Sequence, residues 1–154
     1  MEIREASVPN DLPVVRELFE EYAAGLGIDL CFQGFAEELA GLPGRYTPPA
    51  GGVWLATEHG VVAGCIALRP LDGERAEVKR LYVRPAFRGM GVGRALAEHV
   101  LRAAAAAGYR RVCLDTLPSM GGAIALYRSL GFADVEAYCH NPVLGAMFLG
   151  RELA

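Results

Sequence analysis

The stretch 77–94, EVKRLYVRPAFRGMGVGR, constrains this chain more than any other. It reads as an apolar strand ending at Val83, a turn built on Pro85, a glycine-dense loop and the start of a long Ala/Leu helix. Glycines let backbone approach a ligand closely. The first turn of a helix offers unpaired N–H groups, and its dipole adds about half a positive charge. Arg88 and Arg94 add two full charges. In that order these parts make a cradle for a pyrophosphate. The plainer alternative is a glycine-rich connection with arginines for solubility. The strand before and the helix after favour the cradle.

The order of the glycines narrows the ligand. A dinucleotide fingerprint, G-x-G-x-x-G, starts at Gly89 and Gly91 and fails at Arg94. No G-x-x-x-x-G-K-[ST] run for a nucleoside triphosphate occurs. What fits is R-x-x-G-x-G at Arg88, Gly91 and Gly93, just after LYVRP. A second block follows at 123–132, AIALYRSLGF, a helix carrying A-x-x-L-Y and closed by G-F.

Composition bounds the rest. A chain of 154 residues, 53% hydrophobic and 21% charged, suits one domain with a real core. The net charge is −3 and no basic stripe runs through the sequence, so a nucleic-acid partner is not expected. No apolar run approaches the roughly 20 residues of a membrane span. The start, MEIREASVPNDLP, lacks the pattern of a signal peptide. Cys31, Cys65, Cys113 and Cys139 stand far apart with no C-x-x-C pair, so neither zinc nor dithiol chemistry is supported. Cys65 and Cys113 lie in apolar runs and read as small core residues. A reducing cytoplasm is the expected setting.

Along the chain, residues 3–8 read as a strand, and Pro9-Asn10-Asp11 as a turn with an N-cap. Apolar residues at Leu12, Val15, Leu18, Phe19, Tyr22 and Leu26 then recur at helical spacing until Gly25 and Gly27. A short helix is expected over 35–42, and 43–52 is a loop by composition. Strands over 53–57 and 61–68 flank the turn Glu58-His59-Gly60. A third, 75–83, completes an antiparallel meander. Strict alternation there puts Glu77, Lys79, Leu81 and Val83 on one face and Val78, Arg80 and Tyr82 on the other. A long helix over 91–107 leads to a strand at 111–115, the order of a right-handed parallel crossover. A helix over 121–130 and strands over 132–136 and 146–153 close the chain.

The two blocks, at this separation and in this order of elements, resemble the GNAT acetyltransferase family over essentially the whole chain. The resemblance implies an α/β fold of the acyl-CoA N-acyltransferase kind, a mixed central sheet splayed in a V with about four helices around it. It also implies acetyl-CoA as cofactor. Backbone groups of Leu81, Tyr82 and Val83 would pair with the pantetheine arm. The main chain of Gly89, Met90, Gly91, Val92, Gly93 and Arg94 would hold the pyrophosphate, with Arg88 nearby. Tyr127 would approach the thioester sulfur. One position departs from the family pattern, because Met120 stands where members often carry an Asn that touches the cofactor.

Acetyl transfer to an amine needs a neutral nucleophile, and an alkyl amine has a pKa near 10.4, as Lys does. Glu77 matches a position that supplies the base in some members, and Asp115 matches another. Glu77 reads equally well as a surface strand carboxylate paired with Lys79 or Arg75. The Tyr127 phenol suits protonation of the leaving sulfur, against a reading as a core-filling aromatic. On the acceptor side, Tyr138, His140 and Asn141 lie on the connection YCHNPVLG, and Phe32 and Tyr46 add aromatic surface. His140 reads as a base, an acceptor contact or an exposed loop residue. The resulting expectation is an N-acetyltransferase acting on a small-molecule amine. A CoA-binding module without catalysis and a protein N-acetyltransferase are the alternatives. Pairing of two copies, as in many relatives, is left open as a homodimer.

Overall fold

The computed structural model describes residues 1–27, 30 and 34–153. Its elements follow the expected order: β1 (Glu2–Glu5), α1 (Leu12–Leu26), α2 (Phe35–Ala40), β2 (Gly52–Glu58), β3 (Val61–Pro70), β4 (Arg75–Val83), α3 (Val92–Ala106), β5 (Arg111–Thr116), α4 (Gly121–Ser129), β6 (Ala133–Asp134) and β7 (Met147–Glu152). The seven strands form one mixed sheet in the order β1-β2-β3-β4-β5-β7-β6. Helices cover both faces. On one side α1 buries Val15, Leu18 and Phe19 against Val53, Leu55, Cys65 and Ala67. On the other, α3 buries Leu96, Val100 and Ala104 against Ile66, Leu68, Val78 and Val112, and Tyr127 of α4 joins them. Each large aliphatic chain buried this way stabilises the fold by about 1.5–3 kcal/mol. Cys65 and Cys113 are buried free thiols, as expected, and Cys139 is an exposed one; Cys31 lies outside the described residues.

Two features of the sheet create the site. First, β4 and β5, joined through α3, run parallel but pair only at Arg75↔Arg111, Ala76↔Val112 and Glu77↔Cys113. Past Glu77 the strands part, while β5 stays paired with β7 along its whole length and β3 stays with β4 as far as Val83. That is the expected V. Second, β4 carries a bulge. Opposite β3 the register jumps from Ala67↔Lys79 to Cys65↔Tyr82, so β4 has one residue more than its partner. Arg80 absorbs it at φ 60, a left-handed conformation uncommon outside glycine.

The bulge corrects the strict alternation expected for β4. Leu81 and Val83 pack with Val78 on the α3 side. Arg80 and Tyr82 face α1 and α2 along with Glu77 and Lys79, for the Arg80 guanidinium lies over the rings of Tyr22 and Phe35 and Tyr82 packs with the α1 cluster. The sequence pattern missed it because no glycine marks the left-handed position. Three further corrections are local. β1 ends at Glu5, where the chain turns toward α1. Asp11 stands at the N-cap of α1 without capping it, because its carboxylate binds the Arg4 guanidinium and the Ser7 N–H instead. β6 is only two residues long, and Phe132 before it turns inward onto the Tyr127 ring at 5.1 Å. The hairpin between β2 and β3 turns on His59 and Gly60, both at positive φ, as two-residue hairpin turns favour.

Candidate active site

The parted strands open a cleft of about 610 Å³. Its floor is Leu81, Tyr82 and Val83 of β4, and its walls are the first turns of α3 and α4, with Tyr22, Gly25 and Leu26 of α1 at the side. Two helix N-termini therefore face one space. Gly89 and Gly91 line it at φ 80 and 81, and a Cβ built on either would meet nothing within 4 Å. Gly91 is the N-cap of α3, which leaves the N–H groups of Val92, Gly93 and Arg94 outside the helical ladder. An open cradle of donors beside an unpaired strand edge fits a ligand with a diphosphate at one end and an amide-bearing arm at the other. Coenzyme A has that form.

The expected donor-side residues largely converge here. Leu81, Tyr82, Val83, Arg88, Gly89, Gly91, Val92 and Gly93 all line the cleft, and so does Met120. Met90 and Arg94 do not. Met90 is exposed, and the Arg94 guanidinium donates to Ser129 Oγ at 2.7 Å. Arg88 folds back to donate to the Val83 carbonyl at 2.9 Å. Met120, at the position where an Asn was expected from the family pattern, is the N-cap of α4 and touches Thr116 Oγ1 with its sulfur at 3.7 Å.

Where β4 and β5 part, the cleft continues into a small chamber of about 40 Å³ that shares Tyr22, Leu26, Leu81, Met120 and Ala123 with it. Lys79, Arg80, Asp115, Tyr127 and Asn141 also line the chamber. Tyr127 is 5% exposed, and burial, with a smaller contribution from Tyr22, pushes its phenol pKa far above the ordinary value. Among the described residues its hydroxyl has no hydrogen-bond partner, yet it is not sealed off. The phenol is a neutral donor facing the chamber.

Behind the chamber lies a buried ionic network. Glu77, 2% exposed, accepts from Arg69 Nε at 2.8 Å and from the Tyr138 hydroxyl at 2.7 Å. Lys79 Nζ lies 3.8 Å from Glu77 and 3.4 Å from Asp115. Asp115 also accepts from Asn141 Nδ2 at 3.0 Å. Arg80 binds Glu38 of α2 through two hydrogen bonds at 3.0 and 3.1 Å, and Tyr46 donates to the same carboxylate at 2.9 Å. Burial opposes the charge of Arg69, but Glu77, Tyr46 and Glu38 outweigh it and hold the guanidinium pKa above normal. Burial, then Glu77, raises the pKa of Tyr138 as well.

Glu77 is thus no surface carboxylate; of the two expected partners Lys79 lies 3.8 Å away, and Arg69 takes the place of Arg75. The two candidate bases differ in access, for Asp115 lines the chamber while Glu77 is tied behind it. Tyr138 and Asn141 reach the two carboxylates from the connection between β6 and β7. His140 between them is exposed, and Phe32 lies outside the described residues. Tyr46 is buried beneath α2, away from the chamber. Arg69, Lys79, Arg80, Glu38 and Tyr22 were not legible as site residues. Lys79 and Arg80 had a usable signal, since adjacent cations inside an apolar strand need buried partners.

The family model described as Acetyltransferase (GNAT) family matches residues 15–132. An uncharacterized N-acetyltransferase of Schizosaccharomyces pombe is 38% identical over 154 aligned residues, covering 99% of this chain and 94% of that protein. An uncharacterized N-acetyltransferase of Escherichia coli is 32% identical over 80% of this chain and 74% of its own length. Among solved structures, a GNAT acetyltransferase of Staphylococcus aureus superposes with a TM-score of 0.80 at 21% identity, covering 99% of both chains. An acetyltransferase of Salmonella typhimurium, solved with acetyl-CoA, superposes at 0.77 and 22% identity over 100% of this chain and 94% of its own. The splayed sheet, the glycine cradle at α3 and these matches have one reading: the chain belongs to the GNAT family of N-acetyltransferases.

Proposed function

We propose that this acetyltransferase moves the acetyl group of acetyl-CoA to the amine of a small molecule. The observation that carries the reading is the chamber of about 40 Å³ at the end of the donor cleft, with Tyr127 and Asp115 both in its wall. By the measure that a water needs about 10–15 Å³, it has room for about three. That space suits the head group of a small acceptor, and Tyr138 and Asn141 close over the carboxylates behind it.

The amides at the start of α3 would hold the diphosphate, and the free edge of β4 the pantetheine arm. The bound thioester supplies an electrophilic carbonyl carbon. Asp115 receives the proton that the amine gives up before its nitrogen bonds to that carbon. Tyr127 delivers its phenolic proton to the sulfur as the carbon–sulfur bond breaks. Glu77 holds Lys79, Arg69 and Tyr138 in place and so orients the chamber.

The test is a screen of amines, amino acids and polyamines with acetyl-CoA, following free thiol with time and the acetylated product by mass spectrometry. Small acceptors should be consumed. Acetylation of a peptide library without any small acceptor would overturn the proposal in favour of a protein modifier. CoA binding by calorimetry without turnover would leave a binding module.

A further inference from the structure

Lys79 is the cation that its neighbours leave under-supplied. Its side chain is 6% exposed, and an ammonium carries three donors. Among the described residues it makes one hydrogen bond, a long one of 3.4 Å to Asp115 Oδ1, and the Glu77 carboxylate at 3.8 Å lies beyond hydrogen-bond range. Arg69, by contrast, holds Glu77 at 2.8 Å, and Arg80 holds Glu38 twice. A buried ammonium with open donors is costly unless an acceptor completes it. Lys79 lines the chamber, so an acceptor entering the chamber can do so.

The neighbour of Lys79 specifies more. Asp115 lines the same chamber, and the two charges stand 3.4 Å apart. The complement of a close, opposite pair is a ligand whose own cation and anion are equally close. An α-amino acid has that form, with amine and carboxylate on one carbon. The remaining wall is largely apolar, and Tyr22, Leu26 and Leu81 continue it from the chamber into the wider cleft, which gives an apolar side chain the room that the chamber itself lacks. We infer that the acceptor is an α-amino acid with an apolar side chain, its carboxylate on Lys79 and its amine at Asp115. This rests on the small-molecule acetyltransferase reading and narrows it. The bound ammonium first gives one proton to Asp115, the neutral amino nitrogen bonds to the acetyl carbon, the carbon–sulfur bond breaks, the nitrogen releases its second proton to water and Tyr127 adds one to sulfur. The products are an N-acetyl amino acid and free CoA.

The test pairs each acid with the amine that lacks its carboxylate: leucine with isopentylamine, methionine with 3-(methylthio)propylamine, phenylalanine with 2-phenylethylamine. Wild-type kcat/KM should favour the acids by at least about 100-fold, as sites built around a buried polar partner do. Leucine should also raise the melting temperature in the presence of CoA, and isopentylamine should not. Lys79→Met should collapse the acid-to-amine ratio through KM, and Lys79→Arg should keep most of it. Equal or better use of the amines overturns the amino-acid proposal while leaving acetyl transfer to small molecules intact. A ratio unchanged in Lys79→Met overturns the role of Lys79. Silence from both sets overturns the proposal together with the reading beneath it.

Discussion

Replacing Tyr127 by Phe separates catalysis from stability with a single oxygen. The ring is packed in the core against Phe132 and stays there in the variant. The hydroxyl has no partner among the described residues, so its loss breaks no hydrogen bond with any of them. The stability change is therefore expected within about 0.5 kcal/mol, or 1–2 °C in melting temperature. The rate should respond very differently. An alkyl thiol has a pKa of about 8.5, and positioned proton transfer to such a group contributes about 10²–10⁴ in rate. That range corresponds to roughly 2.7–5.5 kcal/mol of barrier. The assay is thiol release from acetyl-CoA at saturating acceptor, alongside calorimetric CoA affinity, which should move less than about threefold if binding is untouched. The defect should shrink with an acetyl thioester whose leaving thiol is more acidic, since that sulfur needs no proton. Because burial raises the phenol pKa, wild-type activity should also show no loss from phenol ionisation up to about pH 10. Thiol release within threefold of wild type in a variant of unchanged stability would refute the role given to this hydroxyl.

Three further outcomes follow from the geometry. Glu77→Ala strips Arg69, Lys79 and Tyr138 of a shared buried partner and should cost about 3–5 kcal/mol, lowering the melting temperature by roughly 6–20 °C, with Glu77→Gln milder; a wild-type melt would show the network to be idle. Gly91→Ala forces a side chain onto a left-handed residue at φ 81, so about 1–2 kcal/mol of stability should go and calorimetry should show weaker CoA binding. Asp11 has its pKa lowered by its bond to Arg4, then by the Ser7 N–H, so it stabilises the fold above its unfolded pKa of about 3.9 and loses that contribution as pH falls through the folded value. The melting-temperature gap between wild type and Asp11→Asn should accordingly be constant from pH 5 to 7 and close below about pH 4; a gap that persists at pH 2.5 would show that the pair does not carry it.

The glycine cradle was legible because its physics is local. Glycines at positive φ, a strand before them and a helix after them lie within eighteen consecutive residues, and each leaves a mark on residue type. The chamber and the network behind it were only half legible. Glu77 and Asp115 were named from the family resemblance, but their partners come from far along the chain: Tyr138 meets Glu77 from 61 residues away, and Asn141 meets Asp115 from 26. No local pattern records such contacts. The bulge was hidden for a different reason. Arg80 takes a conformation that glycine would have advertised, and Glu38 with the rings of Tyr22 and Phe35 packs against it there. Once that residue is out of step, Lys79 and Arg80 fall on the same side, and a count by twos along the strand goes wrong from that point.

A sheet that parts in its middle has a seam inside it. Beyond Glu77, β4 offers a run of main-chain groups that β5 has stopped answering. On the rim of a sheet such a run recruits other polypeptides and invites aggregation. Here α1, α3 and α4 stand around it, so a thin thread bearing its own amides can enter while a second strand with bulky side chains is turned away. A molecule threaded into the seam stitches β1–β4 to β5–β7. Amide exchange in both half-sheets should then slow together, although the stitch itself touches only the strands at the gap.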